Sequence, residues 1–182
     1  MTQEELLDEL KETAENLILS AKRYKSMKED RLNKRPSSGG WTVLECFEHM
    51  NRYDIFYSEA LNTALTNSKD IGQYERYFRS GFLGGRSANS MIPKEKMNKM
   101  KTFKKMNPQG ARLDKRVIDT YIKYQRAYLD TIRLARTRDL NKIKVKLTIP
   151  LIKFNAGDTF RFILNHGVRH MAQNKKILDS IS

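Results

Sequence analysis

Apolar positions recur along this chain with the period of a helix in four long stretches. The first runs from about Glu4 to Lys28, where Leu6, Leu7, Leu10, Ala14, Leu17, Ile18, Ala21 and Tyr24 mark one face at helical spacing. Thr2 followed by Glu5 has the form of a capping box, in which each side chain bonds the other residue's backbone amide and so starts the helix. The run Pro36-Ser37-Ser38-Gly39-Gly40 then breaks the pattern. A second stretch follows, with Thr42 as its N-cap, and continues to about Thr66. The third covers roughly Leu113 to Arg136, with Val117, Ile118, Tyr121, Tyr128, Leu129 and Ile132 inward. The fourth starts near Asp158, the expected N-cap after Gly157, and ends close to the terminus.

Two connections between these stretches are long. Residues 67–111 hold five of the nine glycines and are predicted to be largely loop, with a short helix near 94–101. A connection of that length in a compact domain is usually functional or mobile. Residues 142–149 alternate polar and apolar at the strand period until Pro150 stops them. With no partner evident, this segment reads as an extended crossover. There is no internal repeat. Four amphipathic helices joined by long crossovers predict an all-α fold, a four-helix bundle. Residues 1–182 are expected to form one domain, with a loop inserted between the second and third long helices.

Composition limits what such a domain can be. Hydrophobic content of 39% beside 31% charge describes a folded globular chain rather than a disordered one. The acidic start Met1-Thr2-Gln3-Glu4-Glu5 is unlike a secretory leader. No apolar run approaches the roughly 20 residues that a membrane span needs. Cys46 is the single cysteine, which excludes an internal disulfide and fits a reducing compartment. A cytoplasmic protein without membrane association is therefore expected.

The net charge of +14 raises nucleic acid as a partner. Half of that excess lies between Lys94 and Arg116, where nine Lys or Arg face only Glu95 and Asp114. The segment carries a single aromatic ring, Phe103, and so no ladder on which bases could stack. A solvated basic loop is the preferred reading, and a binding module for nucleic acid or another acidic partner is the alternative.

The chemistry concentrates in three histidines, the only ones in the chain. His166 and His170 are four apart and share one face of the fourth helix, within the arc formed by Phe160, Phe162, Ile163, Ile177 and Leu178. His49 lies on the inward face of the second long helix. Three imidazoles turned to an interior need partners, because an unpaired buried polar group costs about 1–3 kcal/mol. A shared divalent metal supplies one, and so would ordinary hydrogen bonds. Gly167, between the two C-terminal histidines, leaves room for another helix or a ligand.

Several neighbours are candidate supporting groups. Gln173 falls on the ligand face one turn after His170. Tyr53 and Tyr57 turn hydroxyls inward, and Asp54 is an odd carboxylate on an apolar arc. Glu48 falls far from the inward face, while Glu45 and Arg169 are expected to face solvent. Cys46 reads as an inert packing residue. The chain has no Ser-His-Asp arrangement, paired catalytic carboxylates, glycine-rich phosphate loop or Cys-x-x-Cys pair.

Two stretches together resemble the DinB-like family. Trp41-Thr42-Val43-Leu44-Glu45-Cys46-Phe47-Glu48-His49-Met50 is similar to the tryptophan-led opening of that family's second helix. His166-Gly167-Val168-Arg169-His170-Met171-Ala172-Gln173 is similar to its C-terminal pair of histidines with a following glutamine. The resemblance implies a four-helix bundle and a divalent metal, Zn, Ni or similar, held by His49, His166 and His170. It implies an enzyme of hydrolase or thiol S-transferase type acting on an unidentified small molecule, in some members a thiol, and often a homodimer. The long basic segment departs from the compact family pattern.

Overall fold

The computed structural model describes residues 1–69, 71–72, 75–94 and 101–181. The fold is mostly helical. Its elements in order are α1 (Gln3–Lys25), α2 (Glu29–Asn33), α3 (Val43–Thr66), α4 (Phe82–Ser90), a single 3-10 turn (Lys104–Met106), α5 (Arg116–Ala135), β1 (Lys144–Lys146), β2 (Lys153–Asn155) and α6 (Ala156–Ser180). The four long helices α1, α3, α5 and α6 coincide with the four periodic stretches. Among them, α3 packs on α5 and α6, and α1 packs on the same two helices. The face that periodicity assigns to α1, from Leu6 to Tyr24, is buried throughout. It meets Phe47 and Leu61 of α3, Tyr121 and Ile132 of α5, and Phe160 and Ile163 of α6 in one apolar core.

The helix starts follow local chemistry. Thr2 accepts from the Glu5 amide while the Glu5 carboxylate accepts from the Thr2 amide, and Thr42 and Glu45 repeat the device at the head of α3. The start of α6 differs from expectation. Asn155 rather than Asp158 is the N-cap, its side-chain oxygen accepting from the Asp158 amide. The Asp158 carboxylate is occupied elsewhere, by Ser80 Oγ, the Gly81 amide and Arg161.

Three short elements escaped the sequence pattern. The first is α2, five residues between the first stretch and the Pro-Gly break. Next comes α4, inside the expected loop, where Gly84 and Gly85 dilute the helical signal. Gly84 is needed there, because a Cβ would lie 2.6 Å from the Asp158 carboxylate of α6. The third is β2, which pairs antiparallel with β1 in the register Lys144↔Asn155, Val145↔Phe154 and Lys146↔Lys153. The alternating segment thus has a partner, a three-residue strand that runs directly into α6 and is too short to show a period. The short helix expected near 94–101 falls mainly on residues 95–100, outside the described residues.

Gly167 makes room for other helices. A Cβ there would meet Tyr121 Oη of α5 at 2.7 Å and Leu17 Cδ1 of α1 at 2.9 Å. The missing side chain lets α6 lie close to both neighbours while turning His166 and His170 the other way, towards α3.

Candidate metal centre

The three histidines meet. His49 Nε2 lies 3.2 Å from His166 Nε2, which lies 3.0 Å from His170 Nε2. All three side chains are buried, none more than 7% exposed. One ring nitrogen from each is within 4.8 Å of the other two, so the group can hold a metal ion. For nitrogens bound tetrahedrally at 2.0–2.1 Å, the separation between ligand atoms is about 3.3 Å. The two shorter distances are close to that value.

The protons make the same point. His49 Nδ1 is 2.8 Å from the carbonyl oxygen of Met106. A carbonyl only accepts, so Nδ1 carries the proton and Nε2 presents a bare lone pair to the cluster. His166 Nε2 touches two other ring nitrogens, and one imidazole N–H can satisfy only one of them. Three neutral imidazoles so placed leave at least one of the two contacts without a hydrogen bond. A cation at the centre removes that conflict. Burial is the first cause that lowers all three pKa values: His49 to about 4, His170 to about 3, and His166 well below the ordinary range. The rings are therefore neutral at pH 7, the form in which imidazole binds metal.

The surroundings are aromatic. The Trp41 ring lies 4.6 Å from that of His49 and 6.1 Å from that of His170. Tyr53 packs edge-on against His49 and His166, both at 5.1 Å. These rings, with Phe162, line the cavity into which the histidines open, and Lys101, Arg169 and Gln173 add its polar part. Burial, and then the neighbouring Tyr57, raise the pKa of Tyr53, so its phenol keeps its proton at neutral pH. Gln173 acts on the His170 ring as a hydrogen-bonding neighbour that favours its charged form. His170 Nδ1 nonetheless has no bond of good geometry, so the contact is a loose one.

The other candidates lie elsewhere. Tyr57 stacks on Tyr53 at 6.4 Å, but its hydroxyl is 3.4 Å from Thr148 Oγ1, away from the cavity. Asp54 is buried on a different flank of α3, where Tyr128 Oη donates to it at 3.0 Å and Gln125 Nε2 at 3.3 Å. Burial pushes its pKa up to about 8 against those two bonds. Glu45 is buried rather than solvent-facing. Burial alone would raise its pKa, but bonds from Arg35, Thr42 and Gly110 hold it below the ordinary value. Burial also pushes the Cys46 thiol up, as suits a packing residue.

What the sequence missed is the roof. The described end of the basic segment folds over the head of α3. Gly110 donates to Glu45, Trp41 donates to Asn107, and Arg52 donates to the carbonyls of Lys105 and Asn107. Met106 is buried, and its carbonyl orients His49. A backbone carbonyl has no residue signature; the weak hint was an apolar methionine amid lysines.

Among the described residues, no helix is long and apolar enough to cross a membrane. A family model described as the DinB superfamily matches residues 9–173, a span that begins within α1 and ends at Gln173 in the cavity wall. No curated protein and no solved structure matches the chain.

Proposed function

The chain belongs to the DinB superfamily, and from that premise we propose a metal-dependent enzyme whose divalent ion is held by His49, His166 and His170. The observation that carries this reading is the meeting of three Nε2 atoms in one buried cluster that opens into a cavity. The same reading takes residues 1–182 as one domain and the four long helices as the expected four-helix bundle.

Three protein ligands leave a coordination position for water or substrate, as in catalytic rather than closed structural sites. When bound, the ion supplies Lewis acidity and acidifies what occupies that position, a water in hydrolysis or a thiol in S-transfer. The protein's own groups divide the remaining work. Met106 fixes the His49 tautomer. Trp41, Tyr53 and Phe162 exclude water and offer flat apolar walls. The Tyr53 phenol remains a proton donor at neutral pH. Lys101 and Arg169 bring positive charge, and no carboxylate lines the cavity among the described residues. The substrate we propose is therefore an anionic small molecule, a thiol included. Tyr57 and Asp54 support the helices rather than the ligand.

Metal analysis of protein purified without a histidine tag tests this reading. About one divalent ion per chain is expected, and its loss in His166→Ala. An ion content near zero, or one unchanged by the substitution, overturns it. The alternative, a basic module for nucleic acid, draws no support from the roof, because residues 105–110 turn their backbone and Met106 inward. Salt-dependent titration against DNA and RNA separates the two.

A further inference from the structure

The hairpin that joins β1 to β2 carries an arrangement that neither the core nor the histidine cavity uses. Its inner face is ordinary, with Val145 and Phe154 buried against the body of the protein. Its tip is not. Ile149, Pro150, Leu151 and Ile152 all stand in solvent, and Leu151 is fully exposed. Leu151 also has φ +67°, the one positive φ at a non-glycine among the described residues. For a branched residue that conformation is unfavourable, and glycine would occupy it without cost. A leucine strained in this way and packed against nothing contributes no stability that explains its presence.

The charges around the tip are equally unbalanced. Between Leu140 and Gly157 the chain has four lysines and no acidic residue. Lys142 pairs with Asp139. Lys144, Lys146 and Lys153 are exposed, and none forms an ion pair among the described residues. Lys146 stands directly opposite Lys153 in the strand register, a like-charge pair that weakens an isolated hairpin. Glu59 lines a groove with Lys144 and Lys146 yet makes no ion pair with either. An anionic surface would relieve this repulsion.

We propose that this hairpin docks the protein on an anionic lipid surface. Leu151 and its isoleucine neighbours enter the headgroup boundary, and Lys144, Lys146 and Lys153 lie against the phosphates. Both signals are needed, because a few inserted apolar side chains alone give only marginal, reversible binding. A protruding apolar tip needs a matching pocket on a protein partner, whereas a bilayer accepts it without shape complementarity. Nucleic acid would use the lysines and leave the tip in water. The contact is peripheral and requires no spanning segment. It departs from the expectation of no membrane association, which rested on the absence of a spanning run. Just before the tip the hairpin is held to α3 by Tyr57, whose hydroxyl meets Thr148. The proposal does not depend on the ion at the histidines.

The test is flotation of the full-length protein with vesicles of phosphatidylcholine alone and with about one-third phosphatidylserine. Binding is expected on the anionic vesicles, weakening as salt is raised. Leu151→Asp should lower it at least about tenfold. Lys146→Gln with Lys153→Gln should lower it about twenty-fivefold, at about fivefold per lysine. Leu151→Gly separates binding from folding: it relieves the strained φ, so melting temperature should hold or rise while vesicle binding falls. Failure to float with anionic vesicles overturns the proposal. So does equal binding to neutral vesicles, or binding that Leu151→Asp and Leu151→Gly leave intact. If sedimentation instead shows a self-association that Leu151→Asp abolishes while vesicles stay unbound, the tip is a contact between copies and the lipid proposal fails.

Discussion

Helix α3 sends buried polar groups in two directions, and the two clusters are built differently. On one flank His49 meets His166 and His170. On another, five residues on and so about 140° around the helix, Asp54 meets Gln125 and Tyr128 of α5. The histidine cluster opens into a cavity and cannot give both of its ring contacts a hydrogen bond. The aspartate cluster is sealed in the core and is supplied with donors. Buried polarity is therefore no single signal of function. What distinguishes a site from a structural network is whether the groups satisfy one another without help.

The largest effect that sharpens this contrast is at His166, which touches both of its partners. His166→Ala should reduce divalent-metal affinity by at least about a thousandfold, read by competition with a chromogenic chelator, since it deletes one of three ligands. Without added metal the same variant should lose less stability than an ordinary buried large-to-small change, because removing the ring also removes both unfavourable nitrogen contacts. Unchanged metal affinity would make the two clusters alike. Gln173→Ala comes next, with a loss of about ten- to a hundredfold in affinity, the usual range for a group that orients a ligand. The loose geometry at His170 places the expected value at the lower end.

How these clusters stood in the sequence explains what was legible. The four long helices were readable because each buries a continuous face, as Leu6 to Tyr24 does, and two open with a capping box. The histidine trio was readable because imidazoles are scarce here and the i, i+4 spacing of His166 and His170 aims both rings one way. The expectation that Asp54 supports the site came from the same wheel, which shows that a residue is inward but not which neighbour it meets. Tyr128 and Gln125 lie more than seventy positions away, and nothing local reports that pairing. The roof over His49 was hidden for a related reason. Its contribution is the Met106 carbonyl, and the lysines around it pointed to solvent.

The aspartate cluster has a pH signature of its own. Burial holds the Asp54 pKa near 8 in the folded protein, against an ordinary 3.8. The folded state therefore keeps a proton that the unfolded chain releases above about pH 4. Stability attributable to Asp54 falls as pH rises from about 4 to about 8 and is level beyond that. Asp54→Asn should abolish this slope. It should gain little at pH 4 and on the order of 5 kcal/mol at pH 8, read by denaturant melts across the range. A gain of equal size at pH 4 would mean that charge is not the cause. Metal affinity at the histidines should not change, which is the contrast with Gln173.

Tyr128→Phe should give the smallest effect and the finest test. The Tyr128 hydroxyl is the shorter of the two donors to Asp54, and its loss leaves the 3.3 Å contact from Gln125. Below pH 4, where the carboxyl is protonated in both states, the variant should lose only about 1 kcal/mol, the net worth of one buried hydrogen bond. The loss should then hold level to about pH 7 and grow above it. A donor favours the charged carboxylate, so its removal moves the folded pKa above 8 and extends the slope to higher pH. Gln125 leaves Oε1 without a partner in the same buried space. Turning its amide over would present that oxygen to the protonated carboxyl, an acceptor suited to a neutral Asp54. The slope in Tyr128→Phe should therefore match the parent's in steepness and run to a higher pH before it levels. In Asp54→Asn carrying the same second change, it should vanish. A slope that survives in the double variant would belong to another group and would end the contrast between a cluster supplied with donors and one whose rings lack them.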